Sequence, residues 1–278
     1  MNLVPPVDTR QPNGAPLSLP CLVVSAVALG LIIAIGLISA QRRLNETIAE
    51  TVTAAVAHYQ PQSAPPARNI TSACREIVLQ EAAQYVLANM TKTSSFPDKF
   101  ALLEHSVKSV PPELKGLYCE FGVYKGETVN FIASRTTHEV HGFDSFEGLP
   151  EVWREGFEKG TFALTNLPEV ARNVTLHKGW FNESLPVWKQ KYSGPVAFMH
   201  MDADLYSSTK CVFDLLADRV VPGTVIQFDE FFNYPGWKDG EYKAFTEFVR
   251  ERNIRFEYIG YNPNHEQVAV RVLEVGAK

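Results

Sequence analysis

From Leu117 to Val272 the chain alternates short apolar runs with stretches whose apolar positions recur at helical spacing. The runs at Leu117–Val123, Glu139–Asp144, Val174–His177, Val196–Asp202 and Thr224–Asp229 read as buried strands. Between and after them Glu127–Ser134, Glu183–Lys191, Ser207–Asp218 and Glu241–Arg250 read as helices. Two last strands, Arg255–Tyr261 and Gln267–Val272, have little between them, which predicts an antiparallel hairpin. Alternating strand and helix implies an α/β fold: a doubly wound sheet, mostly parallel, ending in that hairpin. Upstream, Ile70–Met90 and Phe100–Val107 have helical spacing, and Pro111-Pro112 separates them from the first strand.

The N-terminal pattern is different. Leu19–Ala40 is 22 residues without a charge, long enough to span a bilayer as a helix. A cleaved signal peptide would have a shorter apolar core and a more basic start. The expectation is a single-pass membrane protein: a Pro-rich tail over 1–18, a transmembrane helix over 19–40, a stalk and Pro-rich linker over 41–68, a helical cap over 69–112 and a main domain over 113–278. Arg42 and Arg43 after the span lean, by the positive-inside rule, to a cytoplasmic main domain. Asn-X-Ser/Thr sequons at Asn45, Asn69, Asn89, Asn173 and Asn182 point instead to a secretory lumen, so the two signals conflict.

Composition adds exclusions. The 278 residues are 45% apolar and 21% charged, ordinary for a globular chain. A net charge of −5 with no basic stripe argues against a nucleic-acid partner. Cys21, Cys74, Cys119 and Cys211 are far apart, without zinc or redox spacing, and Cys119 and Cys211 read as buried free thiols.

The candidate chemistry lies where strands end. Asp202 and Asp204 close one apolar run; Asp229 and Glu230 close another. In open α/β sheets the carboxyl ends of the strands line the ligand crevice, so the four acids should converge. Buried acids repel each other and lose hydration, which calls for a cation or shared protons. Mg²⁺ suits such an oxygen-ligand site; helix capping is the bland alternative. Gly122 and Gly126, at the first strand-to-helix turn, allow close approach of a ligand to the backbone. Their spacing fits neither the dinucleotide fingerprint nor the phosphate loop. Asp144, ending the second strand, is positioned to bond ribose hydroxyls, which points to a nucleoside-bearing cofactor.

The segments EFGVYKGETVNFIA, GFDSFEGLPEVW, KGWFNESLP, HMDADLYSST, GTVIQFDEF, YPGW and EYKAFTEF occur in that order between about Lys115 and Val270. In them the chain resembles the macrocin O-methyltransferase family, the sugar O-methyltransferases of macrolide and aminocoumarin biosynthesis. The resemblance implies the Rossmann-like class I methyltransferase fold, with S-adenosylmethionine and Mg²⁺ as cofactors. It implies Asp202, Asp229 and Glu230 as metal ligands and Asp204 as general base. It implies Glu120, Gly122, Tyr124, Gly126, Thr128, Asp144, Ser145, Trp180 and Asp202 around the cofactor, with Trp180 near the adenine. Glu230 stands where relatives often have Asp, and the N-terminal anchor is not part of the family pattern.

Other residues divide between packing and function. His200, inside an apolar strand, reads as a satisfied core histidine rather than a base. The irregular stretch Phe146–Leu164, with Trp153, Phe157 and Phe162, has the length of a lid. Trp237 either walls an acceptor pocket or packs. The combined expectation is a membrane-anchored O-methyltransferase for a small-molecule or glycan hydroxyl, compatible with a homo-oligomer. The rivals are a catechol-type enzyme acting on an aromatic diol and a non-catalytic membrane-tethered adapter of the same fold.

Overall fold

The computed structural model describes residues 19–58 and 69–276, and within the first of these the side chains of 19–30, 32 and 55–58 are not described. The expected tail over 1–18, the linker Pro61–Arg68 and the side chain of Cys21 lie outside the described residues. The chain divides into two compact units, Met1–Ala67 and Arg68–Lys278.

The first unit contains one helix, α1 (Leu19–His58), in which the expected span and stalk are continuous. The expected transmembrane helix, and with it the membrane localisation and membrane partner, is corrected: among the described residues no helix is long and apolar enough to cross a membrane. The uncharged stretch of the sequence ends at Ala40. Beyond it α1 is polar: Gln41 donates to Asn45, and Arg42 pairs with Glu46 at 3.0 Å.

In the second unit, α2 (Ile70–Asn89) and α3 (Lys99–Lys108) precede the sheet, capped by Asn69 and Asp98. Then follow β1 (Leu117–Phe121), α4 (Glu127–Arg135), β2 (Val140–Asp144), β3 (Val174–Lys178), α5 (Phe181–Lys191), β4 (Val196–Met201), α6 (Tyr206–Leu216), β5 (Val220–Phe228), α7 (Glu241–Glu251), β6 (Ile254–Tyr261) and β7 (Val268–Val275). The seven strands lie in the order β3-β2-β1-β4-β5-β7-β6. The first five are parallel; β7 runs antiparallel to β5 and to β6. This is the Rossmann-like arrangement expected, hairpin included.

The alternation of side chains builds both faces of the core. Cys119, Phe121, Met199, Met201, Ile226 and Phe228 point to the side packed with Trp188, Phe213 and Phe245 of α5–α7. Tyr118, Phe198 and Val225 point to the side packed with Leu103, Val107, Val129 and Ile132 of α3 and α4. All six residues of β4 are buried, as a central parallel strand requires.

Boundaries differ from expectation in two informative places. Strand β5 starts at Val220 rather than Thr224, because Val220 already pairs with Val196 and a register shift absorbs Pro222-Gly223. The Thr224 hydroxyl donates to the Val196 carbonyl at 2.7 Å and holds that irregularity. Helix α5 begins at Phe181 rather than Glu183, since the amides of Glu183 and Ser184 both donate to the Trp180 carbonyl.

Candidate active site at the carboxyl ends of the strands

The turn after β1 is made of residues with left-handed backbone: Gly122 at φ 96°, Tyr124 at φ 47° and Gly126 at φ 82°. Gly122 is obligatory, because a Cβ there would fall 1.7 Å from the Asp202 carbonyl oxygen. Asp144 organises the same turn. One of its oxygens accepts from the amides of Val123 and Tyr124, both at 2.8 Å, and the other from Phe146 at 2.6 Å. A carboxylate has about four lone-pair sites, so room for a further donor remains.

The acids of β4 and β5 are brought together by main-chain bonds. The Asp202 amide donates to Phe121 O at 2.9 Å and the Asp229 amide to Met201 O at 2.8 Å, continuing the ladder past the strand ends. Asp204 sits in a left-handed conformation at φ 60°. Two sets of ligand atoms each lie within 4.8 Å of one another: His200, Asp202 and Asp229, and Asp202, Asp204 and Glu230. Asp202 belongs to both. Asp229 Oδ1 and Glu230 Oε2 are buried without a hydrogen-bond partner.

The electrostatics follow from this crowding. Burial and the Asp229 charge hold Asp202 and Glu230 well above the usual carboxylate range. The same two causes push Asp204 up to about 7, against the pull of Arg154. Asp229 goes the other way: burial opposes its charge, but His200, with Lys99 in support, outweighs burial and keeps the carboxyl low.

Two residues in this machinery were not read as such in the sequence. His200 Nδ1 lies 2.8 Å from Glu120 Oε1, and Nε2 lies 3.8 Å from Asp229 Oδ1, too far for a hydrogen bond. Burial disfavours charge on the ring, yet Asp229 and Glu120 overcome it and raise its pKa to about 10. His200 therefore lies between two acids with its Nε2 unpaired, rather than as a fully satisfied core histidine, and its raised pKa disfavours metal ligation. The pairing follows from register, which sets Glu120 directly opposite His200 across β1 and β4. Glu241, fully buried at the start of α7, accepts from the Ala203 amide at 3.1 Å and the Glu230 amide at 3.3 Å. It thus clamps the two acid-bearing loops to each other. Burial raises its pKa to about 8 despite these bonds.

These groups border a cavity of about 620 Å³. Gly122, Tyr124, Asp144, Ser145, Trp180, Asp202, Asp204, Asp229 and Glu230 all line it; Glu120, Gly126 and Thr128 do not. Glu120 is fully buried, and Thr128 packs inside α4. The stretch Phe146–Leu164 covers the cavity with Trp153, Phe157 and Phe162. It is tied down by Arg154, which donates to both Glu266 oxygens at 3.0 and 3.1 Å and stacks 3.8 Å from the Trp153 ring centre. Trp237 does not reach the cavity; it packs edge-on against Tyr85 and Tyr242. Cys119 is buried, whereas the Cys211 thiol is half-buried at the cavity wall. The sequon asparagines have local contacts: besides Asn45 and the Asn69 cap, Asn89 Nδ2 donates to the Tyr85 carbonyl, Asn173 Nδ2 donates to the Ala133 and His138 carbonyls, and Asn182 lines the cavity.

Residues 119–231, which span the glycine turn, Asp144 and all four crevice acids, match the family described as Methyltransferase domain. Over these residues the chain is similar to methyltransferase domains. Two curated relatives align with it. One is the 8-demethyl-8-(2,3-dimethoxy-alpha-L-rhamnosyl)-tetracenomycin-C 4'-O-methyltransferase of Streptomyces olivaceus, 28% identical over 156 residues, covering 46% of this chain and 58% of the relative. The other is the demethyldecarbamoylnovobiocin O-methyltransferase of Streptomyces niveus, 29% identical over 125 residues, covering 36% of this chain and 45% of the relative. The chain thus spans about half the length of the curated relatives it matches. Among solved structures, the O-methyltransferase NovP is 20% identical, with a TM-score of 0.50, covering 63% of this chain and 79% of NovP, a likeness of fold. The resemblance to sugar O-methyltransferases drawn from the motifs is borne out by these relatives. The insertion between β2 and β3 carries Trp153, Phe157 and Phe162, and the stretch after β5, beyond the matched residues, carries Tyr234 and Trp237.

Proposed function

We propose that this protein transfers a methyl group from S-adenosylmethionine to a hydroxyl of a sugar or glycosylated compound, with Mg²⁺ at the acid cluster. The observation that carries the reading is the convergence, on one cavity, of a glycine turn, a strand-end acid and four acids from two further strands. The relatives' names, a rhamnosyl-tetracenomycin-C 4'-O-methyltransferase and a demethyldecarbamoylnovobiocin O-methyltransferase, support the acceptor class. In this reading residues 113–278 form the catalytic domain and 69–112 its cap.

The acid cluster fits a divalent cation: Asp229 Oδ1 and Glu230 Oε2 are orphaned and buried, and carboxylates mutually raised by repulsion gain most from a positive charge. Asp202, Asp229 and Glu230 would hold it. When bound, it would lower the pKa of a coordinated hydroxyl. Bound S-adenosylmethionine would supply an already activated methyl group. The chain's own work is then positioning and proton removal. Asp144 and Ser145 hold the nucleoside hydroxyls, Trp180 flanks the adenine, and Gly122 lets the cofactor lie on the backbone. Asp204 takes the proton from the acceptor hydroxyl. The lid aromatics close over the acceptor and exclude water. His200, held charged between Glu120 and Asp229, fixes Asp229 as a carboxylate.

The aromatic lid also suits an aromatic diol, so a catechol-type acceptor is the second reading. Incubation with methyl-labelled cofactor and parallel panels of glycosides, nucleotide sugars and catechols separates the two. Label in a sugar fraction, abolished by EDTA and restored by Mg²⁺, is the expected result. Label confined to catechols overturns the acceptor class, and EDTA-resistant turnover overturns the metal.

A further inference from the structure

Lys99 was not singled out by any motif, yet it lines the same cavity as Gly122, Tyr124, Asp229 and Glu230. It is the first residue of α3, and its backbone is fixed by the Asp98 cap, which accepts from the Ala101 amide at 2.9 Å. Its ammonium lies 5.4 Å from the Phe100 ring centre, and Phe100 is packed on Phe131 of α4 at 5.0 Å. The stem is therefore directed, and the side chain is only partly exposed.

The charges of the cavity are unevenly matched. Five carboxylates line it, Asp144, Asp202, Asp204, Asp229 and Glu230, against two cations, Lys99 and Arg154. Arg154 is committed to Glu266. Lys99 has no ion pair or hydrogen bond within the described residues, although Asp229 feels its field. A half-buried ammonium left unmatched at a binding cavity is placed to receive an anion that comes with a ligand.

The sheet order gives the direction. Asp144 and Trp180, assigned to the nucleoside, follow β2 and β3 on one side of β1; Asp202 and Asp229 follow β4 and β5 on the other. A cofactor whose ribose is at Asp144 and whose middle crosses Gly122 has its amino-acid end toward β4 and β5, the side where Lys99 enters from the cap. That end carries the only anionic group of S-adenosylmethionine, in a cleft whose acids would otherwise repel it.

We propose, resting on the cofactor reading above, that Lys99 binds the methionine carboxylate of S-adenosylmethionine. The cap helix α3 thereby contributes a cofactor-binding residue from outside the β1-to-β5 motifs.

The test compares two ligands by calorimetry on the full chain. S-adenosylhomocysteine carries the carboxylate; 5'-deoxy-5'-methylthioadenosine keeps the nucleoside and sulfur and lacks it. Lys99→Met should weaken S-adenosylhomocysteine about 10- to 100-fold, the range for a charge-assisted hydrogen bond. Methylthioadenosine affinity should stay within about twofold, and Lys99→Arg should recover most of the loss. Equal weakening of both ligands, or no change in either, overturns the proposal. So does an altered Mg²⁺ affinity with unchanged S-adenosylhomocysteine binding, which would assign Lys99 to the acids. Failure of the wild type to bind either ligand would instead bring down the cofactor reading itself.

Discussion

Asp144 and Asp229 both end a parallel strand, yet their surroundings differ. Asp144 accepts three backbone amides, so it is satisfied by the chain itself. Asp229 has an oxygen buried without a partner, and its neighbours Asp202 and Glu230 are raised by burial and by the Asp229 charge. The acid of the β1–β2 side is held by its own turn; the β4–β5 side leaves buried oxygens unpaired, which in the proposed reading a cation would fill. An acid at a strand end thus says little by itself. What distinguishes a turn organiser from a metal ligand is whether local amides have already claimed its oxygens.

The contrast can be broken most sharply at Asp204, which shares the acid side but is assigned the proton rather than the metal. Asp204→Asn should lower kcat by roughly 10²–10⁴ while leaving cofactor and Mg²⁺ affinity nearly unchanged. Single-turnover rates at saturating Mg²⁺ measure this, and recovery of activity with excess metal would move Asp204 into the ligand set.

Next in size is the direct comparison of the two strand ends. Asp144→Ala should cost about 1.5–3 kcal/mol of stability in urea unfolding and also weaken the cofactor, because it strips acceptors from buried amides. Asp229→Ala removes a partner of the buried His200 ring and should weaken Mg²⁺ at least tenfold by titration, a loss that Asp144→Ala should not show. Equal losses of Mg²⁺ affinity would erase the distinction.

The clamp comes third. Glu241→Ala should destabilise by about 1–2 kcal/mol and weaken Mg²⁺, whereas Glu241→Gln keeps an acceptor for one amide and should stay close to wild type. A Gln variant as impaired as the Ala variant would show that charge, not acceptance, is what Glu241 provides.

The smallest effect is the pH dependence of the metal-free protein. Asp204, raised to about 7, and Glu241, raised to about 8, keep protons in the folded state that the unfolded chain releases near pH 4. Their stabilising contribution is full below that pH and is lost as pH rises through roughly 7 to 8. Tm without metal should therefore fall between about pH 5 and 8, and Mg²⁺ should raise Tm more at the higher pH. A Tm that rises over that interval would contradict the assigned protonation.

Much of this was legible in the sequence because the strands of a parallel sheet are buried on both faces and read as unbroken apolar runs. Val196–Met201 is such a run, and its edges were found to within a residue. The crevice acids were legible for the same reason, being the points where those runs stop. His200 and Glu241 were not. Each owes its role to partners distant in sequence, Glu120 across the sheet and the Ala203 and Glu230 amides across two loops, and nothing local marks a glutamate at a helix start as buried. Lys99 was hidden likewise, on a cap helix outside the strand pattern. At the N-terminus the apolar run 19–40 was read by length alone, and the described helix does not provide a span.

The main-chain contact at Gly122 has a consequence for the geometry of the crevice. With no side chain between this turn and the Asp202 carbonyl, the distance between the glycine turn and the acid-bearing loop is set by the separation of neighbouring strands, about 4.8 Å. The lid is anchored elsewhere, through Arg154 and Glu266. Residues 146–164 can therefore be replaced, so long as that anchor is kept, without moving the glycine turn against the acids.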